Sequence, residues 1–153
     1  MKPRELNQQK AAMEAAIKFG KSLDEGVPER AMIARHVCVL ASGFLEDVVR
    51  VRLSEFARTS RPKAELESYI EASVDRFQNP EFDNILQITG RFSAAWRKKL
   101  EHIDDSIKAA ITSIVANRHL IAHGRHSGMS LAQMTQYVDR AKDFAKQYEK
   151  ICK

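Results

Sequence analysis

The sequence has few of the residues that form turns, and it contains only two cysteines. Six glycines and four prolines in 153 residues are too few to separate many short strands, which favours long helices. Cys38 and Cys152 have no C-x-x-C neighbour, so a reducing compartment is indicated rather than a disulfide framework or a zinc knuckle. No uncharged stretch approaches the ~20 residues needed to cross a bilayer, and the N-terminal segment lacks the apolar run of a signal peptide. We therefore expect a cytoplasmic protein that does not interact with membranes.

Length and composition indicate one globular domain over residues 1–153. Hydrophobic residues make up 44% of the chain and charged residues 29%, which is the balance of a soluble globular protein. A chain of this length can bury a single core of ordinary size. The 25 lysines and arginines exceed the 20 acidic residues, giving a formal charge of +5. Such an excess is compatible with a polyanionic partner such as RNA, although many cytosolic proteins are equally basic.

Apolar residues recur at helical spacing along most of the chain, and no segment alternates as a strand would. The pattern predicts an all-α bundle of about five to seven helices, with an N-terminal helix within residues 1–26 and a core over about 29–150. The segment Ala31–Val49 is apolar on nearly every side, so we expect a central helix that is buried by the bundle, or by a partner chain as well. His36 within it is expected to be a core histidine. Asn79–Pro80 reads as an N-cap and first-turn proline that begin a short helix.

The clearest amphipathic helix is predicted to end at Gly124, a residue suited to a left-handed helix cap. On a helical wheel, Arg118 falls in the middle of its apolar stripe. A guanidinium stays charged in proteins and needs a partner when it is desolvated. Arg118 is therefore either a buried arginine paired with Glu46 or Asp47, or an arginine presented to a phosphate across a helix–helix seam.

Two histidines change the balance between these interpretations. His119 and His123 are four residues apart on one helical face, and His123 lies in the last turn, where the helix dipole favours a cation. Histidine is the commonest general acid–base group, and a neighbouring arginine can stabilise charge on a phosphate. Such a set could cleave RNA without a metal. One chain can hardly place two of these histidines on opposite sides of a phosphate, whereas a two-fold dimer can.

A metal site is a weaker interpretation of the same residues. The H-x-x-x-H pair could bind zinc, but Leu120 stands where a metalloprotease has its glutamate. A catalytic zinc needs three protein ligands, and no third one is evident in the sequence. We expect no metal and no cofactor.

Three stretches of the chain resemble a known family. Residues 118–123 read R-H-L-I-A-H, residues 41–46 read A-S-G-F-L-E and residues 77–80 read F-Q-N-P. Together they resemble the HEPN superfamily, whose signature is an arginine followed four to six residues later by a histidine, and in particular its RiboL-PSP branch. The similarity extends from about residue 30 to 148.

The resemblance implies a helical bundle, a two-fold dimer with the motif at its interface, and often a metal-independent endoribonuclease of a prokaryotic defence, toxin or RNA-processing system. By position, Arg118 and His123 would be catalytic and His119 a polar helper. Family toxins that a nucleotidyltransferase partner silences carry a tyrosine two residues after the motif histidine. Arg125 occupies that position here, which argues against that mode of control.

Four further residues are candidates for substrate binding or support. Glu46 could hold the motif arginine or its second histidine in place, or make an ordinary ion pair within the bundle. Asn117 could contact substrate or cap the helix. Arg125 and His126 could bind the RNA backbone, although solvated loop charges are commoner. Trp96, among basic residues, could stack on a base, but burial of its ring is the favoured interpretation.

The sequence thus predicts an all-α homodimer that acts as a metal-independent endoribonuclease, with an antitoxin or another operon-encoded protein as a possible partner. The alternative is a non-catalytic HEPN module that binds RNA, a nucleotide or a partner protein.

Overall fold

The computed structural model describes residues 3–153, which form seven α-helices and no strand. The prediction of an all-α bundle is confirmed, at the upper end of the expected helix number. Residues 1 and 2 of the predicted N-terminal helix lie outside the described part of the chain. No helix within residues 3–153 combines the length and the hydropathy of a membrane span. The helices are α1 Pro3–Ser22, α2 Pro28–Thr59, α3 Ala64–Asp75, α4 Phe82–Phe92, α5 Ala94–Glu101, α6 Asp105–Ala122 and α7 Leu131–Ile151.

The helices that carry the candidate site begin at residues suited to that position. Pro28 opens α2, where its missing N–H costs no hydrogen bond. The Asp104 carboxylate accepts a hydrogen bond of 2.7 Å from the Ser106 amide at the start of α6. At the start of α7, Ser130 and Gln133 form a reciprocal capping box. The side chains of Asp104 and Ser130 thereby satisfy backbone N–H donors that the first helical turn leaves unpaired.

Helix α2 is the centre of the bundle, and it packs against α1, α3, α4, α6 and α7. The long α2 therefore gives most of the other helices their positions. Its inner side carries Phe44, Leu45 and Leu53, each without solvent exposure. They pack into a core shared with other large side chains that are at least 98% buried, among them Ile107, Ile111, Ile114, Met134, Phe144 and Tyr148.

One face of α2 lies open to solvent near its N-terminus. Met32 is 59% exposed and Val39 is 45% exposed, His36 lies between them, and Gly43 continues the face one turn further on. We refer to Met32, His36, Val39 and Gly43 as the α2 stripe. The expectations that the bundle buries α2 on every side and that His36 is a core histidine are therefore wrong, because no helix within residues 3–153 covers this face. Burial by a partner chain stays a prediction.

A buried hydrogen bond joins α4 to α7. The hydroxyls of Thr89 and Tyr148 are 2.8 Å apart, and neither residue is exposed. Burial raises the pKa of Tyr148 well above its ordinary value, so the phenol stays protonated and can share a proton with Thr89. Because a buried hydroxyl without its partner is costly, this bond favours the arrangement in which Thr89 of α4 meets Tyr148 of α7.

We predict that Thr89→Val and Tyr148→Phe each lower the free energy of unfolding by ~1–2 kcal/mol, since each removes the partner of a buried hydroxyl. The double variant should lose less unfolding free energy than the sum of the two single losses, because it removes both hydroxyls and leaves neither one buried without the other. Urea denaturation followed by circular dichroism measures all three. Strictly additive losses would show that the two hydroxyls do not depend on one another.

Candidate functional site

The end of α6 is fixed by its backbone. Gly124 has φ +65°, and its amide donates to the Ile121 carbonyl at 3.0 Å. The Arg125 amide donates to the Leu120 carbonyl at 2.8 Å. This pair of bonds is a Schellman motif, which satisfies carbonyls that the last helical turn leaves unpaired. The predicted helix end at Gly124 is confirmed, and His123 becomes the C-cap residue.

His119 and His123 form a contact pair on the surface of this helix end. Their ring centroids are 4.5 Å apart, with an angle of 62° between the planes, and both residues are exposed. The predicted i, i+4 pair is thus brought together within one chain. Within residues 3–153, no group of three histidine, cysteine or acidic side chains is placed to share a metal ion.

Arg118 is exposed, and within residues 3–153 its side chain makes no ion pair or hydrogen bond. The interpretation of Arg118 as a buried partner of Glu46 or Asp47 is therefore wrong. Its wheel position is apolar, but the fully buried residues of α6 end at Val115, and further along the helix Ile121 packs against the core while only half-buried. Burial raises the pKa of the Cys38 thiol to about 11, and the charge of Arg118 acts in the opposite direction. The guanidinium therefore lies within electrostatic range of α2.

Glu46 pairs with an arginine of its own helix. Its carboxylate lies 2.9 Å from the Arg50 guanidinium and accepts a hydrogen bond of 3.3 Å from the Asn79 amide. Arg50 in turn donates from Nε to the Phe77 carbonyl at 2.9 Å. Glu46 therefore contacts neither the motif arginine nor its histidines in this chain. Instead, Glu46 and Arg50 hold the segment 77–80 against α2.

That segment does not begin a helix as predicted. Asn79 has a left-handed backbone with φ +59°, Pro80 is buried, and α4 begins at Phe82 with Glu81 as its N-cap residue. The Asn79 side chain donates to the Glu81 carboxylate at 3.2 Å. The prediction of Asn79–Pro80 as N-cap and first helical residue is wrong, because the chain turns at Asn79 before it can enter the helix.

A groove of about 900 Å³ separates this segment from α6. We refer to it as the α4–α6 groove. One side is formed by residues 79–83, and the other by α6 residues including Thr112, Ala116, Arg118 and His119. His123 does not line the groove, but its ring touches that of His119. The site is thus an exposed helix end beside an open groove, a shape in which an extended ligand can pass across the motif.

The remaining sequence-predicted residues lie apart from one another. Asn117 is half-buried and donates to the Ser113 carbonyl at 2.8 Å, so its amide is turned back onto its own helix. Arg125 and His126 are exposed in the loop between α6 and α7. The Trp96 ring is 7% exposed and packs edge-on against Phe56 at 4.6 Å. Burial of Trp96 is confirmed, and its role as a base-stacking residue is wrong.

Sequence reasoning missed the wall of the groove opposite α6. Glu81, Phe82 and Asp83 were not considered, although they directly follow the F-Q-N-P stretch at 77–80 that carried part of the resemblance. The helical spacing of Thr112 and Ala116 with the motif could have identified the α6 side. The facing wall depends on a contact between α2 and residue 79 that no local pattern reveals.

The chain matches a known protein family. A family model described as RiboL-PSP-HEPN matches residues 4–153. No curated protein and no solved structure matches the chain. The matched range includes the helix end at 118–123 and both segments that meet at Glu46 and Asn79.

We predict that Glu46→Gln lowers the free energy of unfolding by ~1–2 kcal/mol, because it removes a charge from a half-buried network that holds Arg50 and the Asn79 amide. Glu101→Gln is the matched control. It breaks the i, i+4 pair with Arg97, whose side chains are 48% and 44% exposed against 23% and 22% for Arg50 and Glu46. The control should cost less than ~0.5 kcal/mol. Equal losses in urea denaturation would contradict a special role for Glu46.

Proposed function

The chain belongs to the RiboL-PSP-HEPN family, and on that premise we propose that it is a metal-independent endoribonuclease of a prokaryotic defence, toxin or RNA-processing system. Membership is consistent with a ribonuclease or an RNA-binding role. The observation that carries the enzymatic proposal is the arrangement at the end of α6. There an exposed arginine, which makes no ion pair or hydrogen bond within residues 3–153, lies next to two histidines whose rings are in contact.

These residue types are sufficient for RNA cleavage by the 2′-hydroxyl. A base removes the 2′-hydroxyl proton, the 2′-oxygen bonds to phosphorus, and the bond to the 5′-oxygen breaks as an acid protonates that oxygen. The products are a 2′,3′-cyclic phosphate and a 5′-hydroxyl. In this proposal the Arg118 guanidinium donates two parallel hydrogen bonds to two phosphate oxygens and stabilises the charge that develops on them. His123 transfers a proton, and His119 orients His123 through the ring contact.

The geometry of one chain favours a site shared by two. In-line displacement places the attacking and leaving oxygens on opposite sides of phosphorus. Because the rings of His119 and His123 are only 4.5 Å apart on one helix, both approach a phosphate from the same side. A second protomer related by a two-fold axis would supply the same residues from the other side. The site of this proposal is therefore completed in a homodimer.

The α2 stripe is suited to form that dimer contact. Met32 and Val39 are large apolar side chains that no part of the described chain covers, and exposed apolar patches commonly mark interfaces. Val39 directly follows Cys38, which lies within electrostatic range of Arg118. An interface over the stripe would thus bring the two motifs toward one another.

We predict that the purified protein cleaves single-stranded RNA in EDTA and leaves 2′,3′-cyclic phosphate ends. Arg118→Ala should lower kcat/KM by about a hundredfold to a thousandfold, since it removes the phosphate-stabilising charge. His123→Ala should lower it by about a hundredfold to ten-thousandfold, since it removes a proton-transfer group. Gel analysis of end-labelled RNA measures the rates and identifies the ends.

The chain offers a matched control for each variant. His102 is also an exposed C-cap histidine, at the end of α5, and Arg91 is an exposed arginine in the last turn of α4. His102→Ala and Arg91→Ala should retain activity within about twofold. Equal activity in all variants would identify a contaminating nuclease. A folded wild type that binds RNA without cleaving it would favour the alternative of a non-catalytic binding module.

We predict that the protein is a dimer and that Val39→Asp makes it monomeric and inactive. The substitution places a charge in the proposed apolar contact, but the side chain is exposed within the chain, so folding should be retained. Leu66→Asp is the matched control, because Leu66 is 52% exposed on α3. Light scattering after size exclusion gives the mass, and the cleavage assay gives the activity. A monomeric wild type that cleaves RNA would rule out the shared site.

A further inference from the structure

The two walls of the α4–α6 groove differ in charge, because the α6 wall carries Lys108, Arg118 and His119. Arg118 and His119 lie where the groove meets the end of α6, whereas Glu81 and Asp83 lie on the facing side. Apolar side chains also line the groove, including Phe82 and Val115. Its volume of about 900 Å³ is within the range of small-molecule pockets. The groove thus has a cationic wall on α6 and an acidic wall at residues 81–83.

A nucleotide has a matching polarity. Its phosphate is an anion that Arg118 can hold, and its base is a flat, largely apolar ring that can lie on the apolar part of the groove. The exocyclic amines of cytosine and adenine donate hydrogen bonds, which carboxylates accept. Uracil presents a carbonyl oxygen at the position where cytosine has its amine. A carboxylate that faces this position of the base would therefore attract the amine of cytosine and repel the carbonyl oxygen of uracil.

We propose that the α4–α6 groove binds the base next to the scissile phosphate, and that Glu81 and Asp83 select bases with an exocyclic amine over uracil. This inference rests on the proposed ribonuclease function, whose substrate class it narrows. It makes Glu81 and Asp83 specificity-determining residues, with no part in proton transfer.

The acidic wall is held in place and its carboxylates remain available. The side-chain amide of Asn79 donates to one oxygen of the Glu81 carboxylate at 3.2 Å. The backbone amide of Asn79 donates to the Glu46 carboxylate. Asp83 is exposed, and within residues 3–153 its side chain makes no ion pair or hydrogen bond. Lys108 also lines the groove, with its Nζ 5.6 Å from the centre of the Phe82 ring, but its hydrogen bonds go to the Glu101 carbonyl at 2.7 Å and to the Asp105 carboxylate at 3.4 Å.

Two carboxylates beside a phosphate-binding site also repel RNA of any sequence. Repulsion of the backbone and hydrogen bonding to the base predict different changes in RNA affinity when the acids are removed. If the acids act only by repulsion, their removal raises the affinity for every sequence by the same factor. If they accept hydrogen bonds from the base, their removal selectively weakens binding of amine-bearing bases relative to uracil.

The test measures binding without cleavage. Fluorescence anisotropy gives the affinity for 2′-deoxy hexamers, which lack the attacking hydroxyl, in two pairs: cytosine against uracil, and adenine against hypoxanthine. We expect the wild type to bind the amine-bearing hexamer of each pair about tenfold more tightly, as is typical of one specific base contact. In the double variant Glu81→Ala/Asp83→Ala this ratio should fall below about twofold.

Asp24→Ala/Glu25→Ala is the matched control, because it removes two exposed acids from the turn between α1 and α2. It should keep the tenfold ratio. The inference is overturned if the wild type shows no preference, if neither hexamer binds, or if the groove variant binds all hexamers more tightly by one common factor.

The assay separates this inference from the proposed function. A wild type that cleaves RNA but binds both hexamers of each pair equally would refute the base selectivity alone. A wild type that shows the preference, loses it in Glu81→Ala/Asp83→Ala and never cleaves RNA would refute catalysis and leave the groove as the base site of a binding module.

Discussion

The solvent-exposed face of the last two turns of α6 is the feature on which the candidate site depends. The buried residues of this helix end at Val115, but the helix continues to Ala122 before Gly124 terminates it. The last turns are therefore rigid, through their backbone hydrogen bonds, without being desolvated. A guanidinium in the core would need an anionic partner to offset the loss of water. On an extended helix end, Arg118 keeps its hydration until a ligand displaces it.

Helix α2 positions both sides of the site. Cys38 donates to the Ile114 carbonyl of α6 at 3.4 Å, and two turns further on Glu46 and Arg50 hold the segment 77–80. The width of the α4–α6 groove is therefore set by a single long helix, although neither of its main walls belongs to that helix. The same helix carries the exposed α2 stripe. A contact that covers the stripe would act directly on the element that spaces the groove.

Features that depend on local hydrophobic periodicity and on helix-end residues can be predicted from the sequence. The helical class, the end of α6 at Gly124 and the pairing of His119 with His123 all follow from such patterns. Periodicity identifies the inward face of a helix, but it does not indicate how far the core extends along the axis, and so it misplaced Arg118. The sequence leaves Glu46 open between support of the motif and an ordinary ion pair, and its partner is an arginine one turn away in the same helix. The left-handed turn at Asn79 depends on contacts with α2 that are distant in sequence.

A two-fold site imposes a constraint on how RNA can bind. An RNA strand has a direction and a two-fold axis does not, so a strand that crosses the axis meets one protomer with its 5′ side and the other with its 3′ side. The two α4–α6 grooves of a dimer would then flank one phosphate in identical form, but only one of them could face the strand with the base orientation that Glu81 and Asp83 require. Selectivity for a base would therefore act on one side of the scissile phosphate, even though both protomers contribute to the chemistry. A symmetric protein would in this way read an asymmetric sequence.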